Sequence, residues 1–369
     1  MRIGFRGQLA DEPEVRAGFI GCGSHAFRNL FPTLQFVPVR LVATCDLDVE
    51  KAEEFARRFG AESHYGDFRR MIEREELDAV FISTGYGDDG RPTHARLAAE
   101  CLEAGLHVWT EKPPAATCAE IERVQQAERD SGRHYMVGYK TMFFPANVKA
   151  KELAGREEFG TPRLITLQRP VNVPTPEQMD AYLNAGEPVG AVIGFLDHIC
   201  HVTSLLIYLA GMPQTLHYER VPGGAAAATF TFPDGLVATM ALTHGCAYES
   251  GIERTMIVGE GGHDVVVQNN KRVLYRRGPA RPDGWGYGNT PTHYTGPPEA
   301  TTAVWEPECS LGQLYNKALF MQGFYGEINE FARAILDGRR PARSHSAHAL
   351  QTTQIFQAFA QGPGQTIQL

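Results

Sequence analysis

The stretch Arg16-Ala-Gly-Phe-Ile-Gly21-Cys-Gly23-Ser-His-Ala26 constrains this chain more than any other. A short apolar run leads straight into the pattern G-x-G-x-x-A, and Ser24–Leu34 can continue as a helix. Glycines so placed allow a tight turn and the close approach of a diphosphate, while Ala26 lets the helix pack near the strand. The helix N-terminus adds unpaired N–H groups and a positive dipole end. A glycine loop after a strand is also an ordinary turn, so the surrounding pattern has to decide.

That pattern alternates. Leu41–Cys45, Ala79–Ile82, His107–Trp109 and His134–Val137 are further short apolar runs of the kind buried on both faces of a sheet. Between them, Asp48–Phe59 sets Val49, Ala52, Phe55, Ala56 and Phe59 at helical spacing behind an Asp48 N-cap, and His94–Glu103 and Cys118–Ser131 read alike. Strand and helix in alternation to about Gly138 predict a doubly wound parallel sheet, a Rossmann arrangement. Asp46 then falls at the end of the second strand, twenty residues past Ala26. There a carboxylate bonds adenosine ribose hydroxyls and repels a 2′-phosphate, so NAD is expected in preference to NADP. Arg57 and Arg58 are the nearby cations that could reverse this preference.

Beyond about residue 142 strands come in succession: Arg163–Arg169, Thr215–Val221, Ala226–Phe232, Leu236–Thr243, Arg254–Val258, Asp264–Gln268 and Arg272–Arg276. Pro233-Asp-Gly235 marks a hairpin between two of them. Helices are expected at Val192–Ala210 and Tyr325–Leu336, and 278–311 reads as a long loop rich in Gly, Pro, Thr and Tyr. The expected architecture is α/β plus α+β. Residues 1–141 form the dinucleotide-binding domain, with 1–14 as an N-terminal extension. Residues 142–369 form a substrate-binding and oligomerisation domain on a large open, mainly antiparallel sheet covered by helices on one face. The opening Arg2-Ile-Gly-Phe-Arg-Gly7 echoes the fingerprint but lacks its second glycine and a following helix.

A length of 369 residues supports two cores, and a net charge of −8 argues against nucleic acid or anionic lipid as partners. No apolar run nears the ~18 residues of a membrane span, and the N-terminus has no secretory pattern. Seven cysteines without a CxxC spacing read as reduced thiols, so a cytoplasmic protein is expected.

Trp109-Thr-Glu111-Lys112-Pro113-Pro114 ends another strand, where open α/β sheets place their ligands. Taken alone, Lys112 could be a surface lysine in a Pro-Pro turn. Asp197-His-Ile-Cys-His201 puts two polar side chains at i and i+4, on one helix face. In this order, Gly21–Ala26, Cys45-Asp46, Glu111-Lys-Pro113 and Asp197–His201 resemble the glucose–fructose oxidoreductase/inositol dehydrogenase (Gfo/Idh/MocA) family. The likeness is close over about 15–270 and looser beyond. It implies bound NAD(P) and hydride transfer to or from a carbinol or carbonyl of a cyclic polyol, sugar or sugar derivative. It implies Lys112 as the group touching both nicotinamide ribose and reacting oxygen, with Asp197 orienting and His201 as acid/base. An imidazole, titrating near neutrality, suits that proton transfer.

The resemblance also carries Gly21, Cys22, Gly23, Ser24, His25, Ala26, Asp46, Ser83, Thr84, His94, Glu111 and Lys112 as cofactor-binding residues. Two departures concern the substrate: Gly85 opens a longer loop where proline is usual, and Met142 replaces a common arginine, leaving Lys140 to supply a cation. Lys140 and His198 are the candidate substrate contacts. His198 and His201 lack further ligands at metal-site spacing, so no metal is expected. An open sheet face and the family habit imply a homodimer or homotetramer. Two other functions fit the same residues: glycoside cleavage through transient oxidation by a retained NAD, and a non-catalytic sugar sensor of this fold.

Overall fold

The apolar runs of the first third form one parallel sheet in the computed structural model, which describes residues 13–244, 253–277, 302–307 and 317–369. Its strands are β1 (Val15–Ile20), β2 (Val39–Cys45), β3 (Ser63–Tyr65), β4 (Ala79–Ile82), β5 (His107–Thr110) and β6 (Tyr135–Val137). They lie in the order β3-β2-β1-β4-β5-β6, and every neighbouring pair is parallel. Every residue of β4, β5 and β6 is buried, which explains their lack of alternation. The order reverses between β1 and β4, so a crevice opens at their carboxyl ends.

After Gly23 the backbone passes through a π-helical turn (Ala26–Leu30), an α-turn (α1, Phe31–Thr33) and a 3-10 turn (Leu34–Phe36). The crossover helices are α2 (Val49–Phe59), α3 (Phe68–Arg74), α4 (His94–Glu103) and α5 (Cys118–Ser131). Asp48 caps α2 by accepting the Lys51 N–H, and Thr117 with Glu120 forms a capping box on α5. The short strand β3 and the helix α3 were not expected: one is a three-residue, partly exposed edge, the other a seven-residue arginine-rich turn.

The chain divides into two compact units, though not by one cut at 141/142. The first unit runs to Phe143 and also contains Pro174–Tyr208 and Ala318–Gln361. These segments carry α7 (Pro176–Leu183), most of α8 (Gly190–Ala210), α9 (Lys317–Met321), α10 (Phe324–Leu336) and α11 (Ser346–Ala358). The reason is apolar cover. Ile328, Phe331 and Ala332 of α10 join the Rossmann core, with Phe331 edge-on to Phe81 at 5.5 Å. By length and composition α8 could cross a membrane, with 21 residues at a mean hydropathy of 1.6, but eleven of its residues are buried within the fold.

The second unit holds α6 (Pro145–Ala154) and a nine-stranded sheet in the order β14-β13-β12-β11-β7-β10-β9-β8-β15. The strands are β7 (Pro162–Arg169), β8 (Thr215–Arg220), β9 (Ala226–Thr231), β10 (Val237–Leu242), β11 (Arg254–Gly259), β12 (Asp264–Gln268), β13 (Arg272–Arg276), β14 (Thr302–Trp305) and β15 (Thr366–Gln368). Among the described residues of this sheet, only β7 and β10 pair in parallel. Gly235, at φ +84°, turns the expected β9–β10 hairpin. β14 falls inside the stretch read as a loop; it pairs with β13. Residues 278–301 and 308–311 of that stretch, 1–12 of the N-terminal extension, and Cys246 and Cys309 lie outside the described residues.

Candidate active site

All of the following geometry belongs to the first unit. β1 ends at Ile20, and Gly21 turns the chain at φ +101°. A Cβ on Gly21 would stand 2.1 Å from the Ser83 carbonyl oxygen, so glycine is required where β1 and β4 end side by side. A Cβ on Gly23 would meet nothing within 4 Å; that glycine faces open space beside the helix N-terminus. This bare backbone beside a helix N-terminus fits a diphosphate. Ala26 is fully buried, as close helix–strand packing demands.

Asp46 is tied to the fingerprint loop. Its Oδ2 accepts the Cys22 N–H at 2.7 Å and its Oδ1 the Asp48 N–H at 2.9 Å. A cleft of about 680 Å³ runs past it, lined by Gly21, Gly23, Asp46, Leu47, Ser83 and Thr84 among others. Arg57 and Arg58 are not cleft residues; both bond Glu54 on the exposed side of α2. The cations that do line the cleft are Arg69 and Arg96, and Arg96 bonds Glu100 at 3.1 Å. Burial pushes the Cys22 and Cys45 thiols up to about 12, so both are inert packing groups.

The Glu111-Lys112-Pro113 box closes β5. Glu111 Oε1 lies 2.9 Å from His25 Nε2, and its Oε2 accepts the Lys112 N–H at 3.1 Å. Burial alone would raise the Glu111 carboxyl; the His25 bond and the charges of His25, Lys112 and Lys140 outweigh it and hold the group below the usual range. His25 and Glu111 thus fasten the fingerprint helix to the end of β5. His94 is buried on α4 with Nδ1 2.8 Å from the Pro113 carbonyl, and burial pushes its imidazole down, so it is neutral.

Lys112 Nζ donates to Asp197 Oδ1 at 2.8 Å, bringing together residues 85 positions apart. Burial works against the ammonium, but surrounding groups that include Asp197 and Glu111 hold it above its ordinary value. Burial likewise works against the Asp197 carboxylate, yet Lys112 and the neighbouring His198 and Tyr86 keep it below the usual range. His201 follows one turn later on α8, and its carbonyl accepts the Thr141 hydroxyl at 3.1 Å. His198 is exposed on the same helix. Lys140 rests over the Phe324 ring, 4.7 Å from its centroid, and that ring also meets His25 edge-on at 5.7 Å. Among the described residues, no three His, Cys, Asp or Glu side chains group as metal ligands.

Two groups here escaped the sequence reading. Tyr86 donates its hydroxyl to Asp197 Oδ1 at 3.2 Å. Glu327 on α10 is fully buried, and neither carboxyl oxygen has a hydrogen-bond partner among the described residues. Burial, reinforced by the Glu111 charge and opposed by Lys140, holds the Glu327 carboxyl well above its ordinary 4.5. The fold therefore favours its protonated form relative to the unfolded chain. Such a group lowers stability as pH rises above its unfolded value, by about 1.4 kcal/mol per pH unit until the folded form titrates. We expect the stability of Glu327→Gln relative to the parent to increase as pH rises above 4.5, by urea unfolding. Parallel stability–pH curves for the two proteins would contradict a buried neutral acid.

The family model described as an oxidoreductase family with an NAD-binding Rossmann fold matches residues 15–139. A dTDP-3,4-didehydro-2,6-dideoxy-alpha-D-glucose 3-reductase of Saccharopolyspora spinosa is 36% identical over 111 residues, 30% of this chain and 32% of that protein. Glycosyl hydrolase family 109 protein 2 of Phocaeicola vulgatus is 33% identical over 133 residues, 34% of this chain and 31% of that protein. The chain therefore spans about a third of the length of these relatives. A dehydrogenase from Chromobacterium violaceum superposes with a TM-score of 0.75 at 22% identity, covering 93% of this chain and 94% of that one, which establishes a shared fold. Residues 15–139, which hold the fingerprint, the acidic end of β2 and the Glu-Lys-Pro box, match the NAD-binding Rossmann fold of the GFO_IDH_MocA oxidoreductase family.

Proposed function

We propose that the chain is an NAD-dependent dehydrogenase or reductase acting on a CH–OH or carbonyl group of a cyclic polyol, sugar or sugar derivative. The observation that carries this reading is the Lys112–Asp197 pair at the carboxyl end of β5, in the same unit as the Gly21–Ala26 turn and Asp46. Nicotinamide, when bound, accepts or returns the hydride. The Gly21–Ala26 turn holds the diphosphate through backbone N–H groups other than that of Cys22, which Asp46 takes; Asp46 holds the ribose, and Ser83, Thr84 and His94 support the crevice between β1 and β4. Lys112 positions the reacting oxygen, Asp197 orients it, and His201 takes or returns its proton. Lys140 and His198 are proposed to contact substrate, and a cytoplasmic location goes with the reading.

NAD reduction screened across cyclitols, aldoses and amino sugars tests the proposal: stoichiometric NADH with at least one class is expected. A second reading draws support from the Phocaeicola relative, which is named a glycosyl hydrolase. It predicts cleavage of a glycoside with no net NADH. Failure of both, with NAD bound, would leave a sensor.

The Asp46 carboxylate makes a prediction about the cofactor. A 2′-phosphate would meet this charge inside a cleft, and like charges so juxtaposed cost several kcal/mol. We expect kcat/KM with NAD to exceed that with NADP by on the order of 100-fold. Equal or better turnover with NADP would sink the assignment and implicate Arg69 or Arg96.

We also propose that two copies pair through the second unit's sheet. Leu164, Val237, Met256, Val258 and Leu274 leave a half-buried apolar row on one face, flanked by the exposed Val304. Pairing two such faces removes this row from water. Light scattering at micromolar concentration should give a dimer or tetramer, and a monomer mass would refute it.

A further inference from the structure

The loop between β4 and α4 departs from the family pattern, and it is built rather than slack. Gly87 N–H donates to the Arg91 carbonyl at 2.8 Å and Gly90 N–H to the Gly87 carbonyl at 2.9 Å. The Tyr182 hydroxyl donates to the Gly90 carbonyl at 3.0 Å, and Arg91 donates to the Leu183 carbonyl at 3.0 Å. A Cβ on Gly90 would stand 2.6 Å from the Ile193 side chain, so the loop sits close against α8. These ties, with the Thr93 hydroxyl donating to the Gly85 carbonyl at 3.1 Å, fix the backbone on both sides of Tyr86. Its hydroxyl and the Lys112 ammonium converge on one atom, Asp197 Oδ1, at 3.2 and 2.8 Å.

We propose that Tyr86 is a positioning residue: by anchoring Asp197 Oδ1 it fixes the carboxylate, and with it the Lys112 ammonium, in the orientation that meets the substrate oxygen. The inference rests on the reading of Lys112, Asp197 and His201 as the reacting set. Without the Tyr86 hydroxyl, Lys112 alone among the described residues holds Oδ1. The carboxylate can then rotate about its terminal torsion, and the ammonium follows it. Misplacement by about 1 Å at a reacting centre costs up to ~10²-fold. The groups facing Asp197 are Lys112 from β5, Tyr86 from the loop and His198 and Cys200 from its own helix; Cys200 donates its thiol to the Asp197 carbonyl.

The test pairs kinetics with a direct view of Asp197. In Tyr86→Phe the ring stays and one hydrogen bond goes, so Tm should hold while single-turnover hydride transfer falls about tenfold. NAD affinity should be unchanged. Carbon-13 NMR of the Asp197 carboxyl, assigned with Asp197→Asn, should titrate at higher pH in Tyr86→Phe. Incorporating 3,5-difluorotyrosine at position 86 strengthens the donor and should move the same titration to lower pH. If Tyr86→Phe fails to fold, the fluorinated protein decides. An Asp197 titration unmoved by either change, or hydride transfer within twofold of the parent in folded Tyr86→Phe, would overturn the proposal. The reading beneath it fails differently: hydride transfer would persist in Lys112→Met and Asp197→Asn whatever Tyr86 does.

Discussion

Single-turnover NADH formation should fall by on the order of 10²–10³-fold when Lys112 is replaced by methionine, the loss typical of removing one preorganised donor from a developing oxyanion. As hydride leaves a carbinol carbon, its oxygen gives up a proton and gathers negative charge. Lys112 is suited to meet that charge. Its side chain is only 16% exposed, its ammonium is fixed at 2.8 Å from Asp197, and nearby carboxylates hold it protonated against burial. Methionine keeps most of the length and none of the charge. The substitution also leaves Asp197 with Tyr86 as its hydroxyl donor, so thermal unfolding must accompany the kinetics. NAD binding should weaken far less than turnover, because the Gly21–Ala26 turn and Asp46 are untouched. Near-parental hydride transfer in a folded, NAD-binding Lys112→Met protein would remove this lysine from the chemistry.

His201→Ala should lower turnover by ~10²–10⁴-fold, the range of a lost general base. In the oxidation direction the rate should rise with pH as the imidazole becomes neutral and able to accept a proton. That limb should be absent in the variant, while NAD affinity and Tm stay close to the parent. A purely structural histidine predicts the opposite pattern: lower Tm, and residual activity that tracks the folded fraction with an unchanged pH profile. The two substitutions also test each other. If both residues serve one hydride transfer, the double variant should lose far less than the product of the single losses.

Local chemistry accounts for the elements the sequence displays best. Asp48 can cap α2 because a carboxylate there satisfies the Lys51 N–H, and Pro-Asp-Gly turns β9 into β10 because Gly235 tolerates φ +84°. These interactions span three or four residues, so a single sequence displays them whole. α11 illustrates the opposite case. It alternates Gln and Thr with apolar residues, and it buries Thr352 and Thr353 by bonding their hydroxyls back to the Ala349 carbonyl. A polar helix in a buried setting carries no periodic signal. β14 and β15 are short strands whose pairing partners lie far away in sequence, and neither announces itself.

The sequence by itself determined the parallel sheet, the glycine turn at β1, the acidic end of β2 and the lysine that closes β5. Each is set by a backbone conformation or a side chain acting within its own strand–turn–helix unit. Only the tertiary structure decided that Pro174–Tyr208 and Ala318–Gln361 complete the first unit, because burying the apolar faces of those helices depends on surfaces made elsewhere in the chain. The same holds for charge. Tyr86 meets Asp197 across 111 positions, and burial beside Glu111 favours the protonated form of Glu327. Hydrogen bonding at such separations and the desolvation of a carboxyl are properties of the packed interior, where water is excluded and distance along the chain no longer measures distance in space.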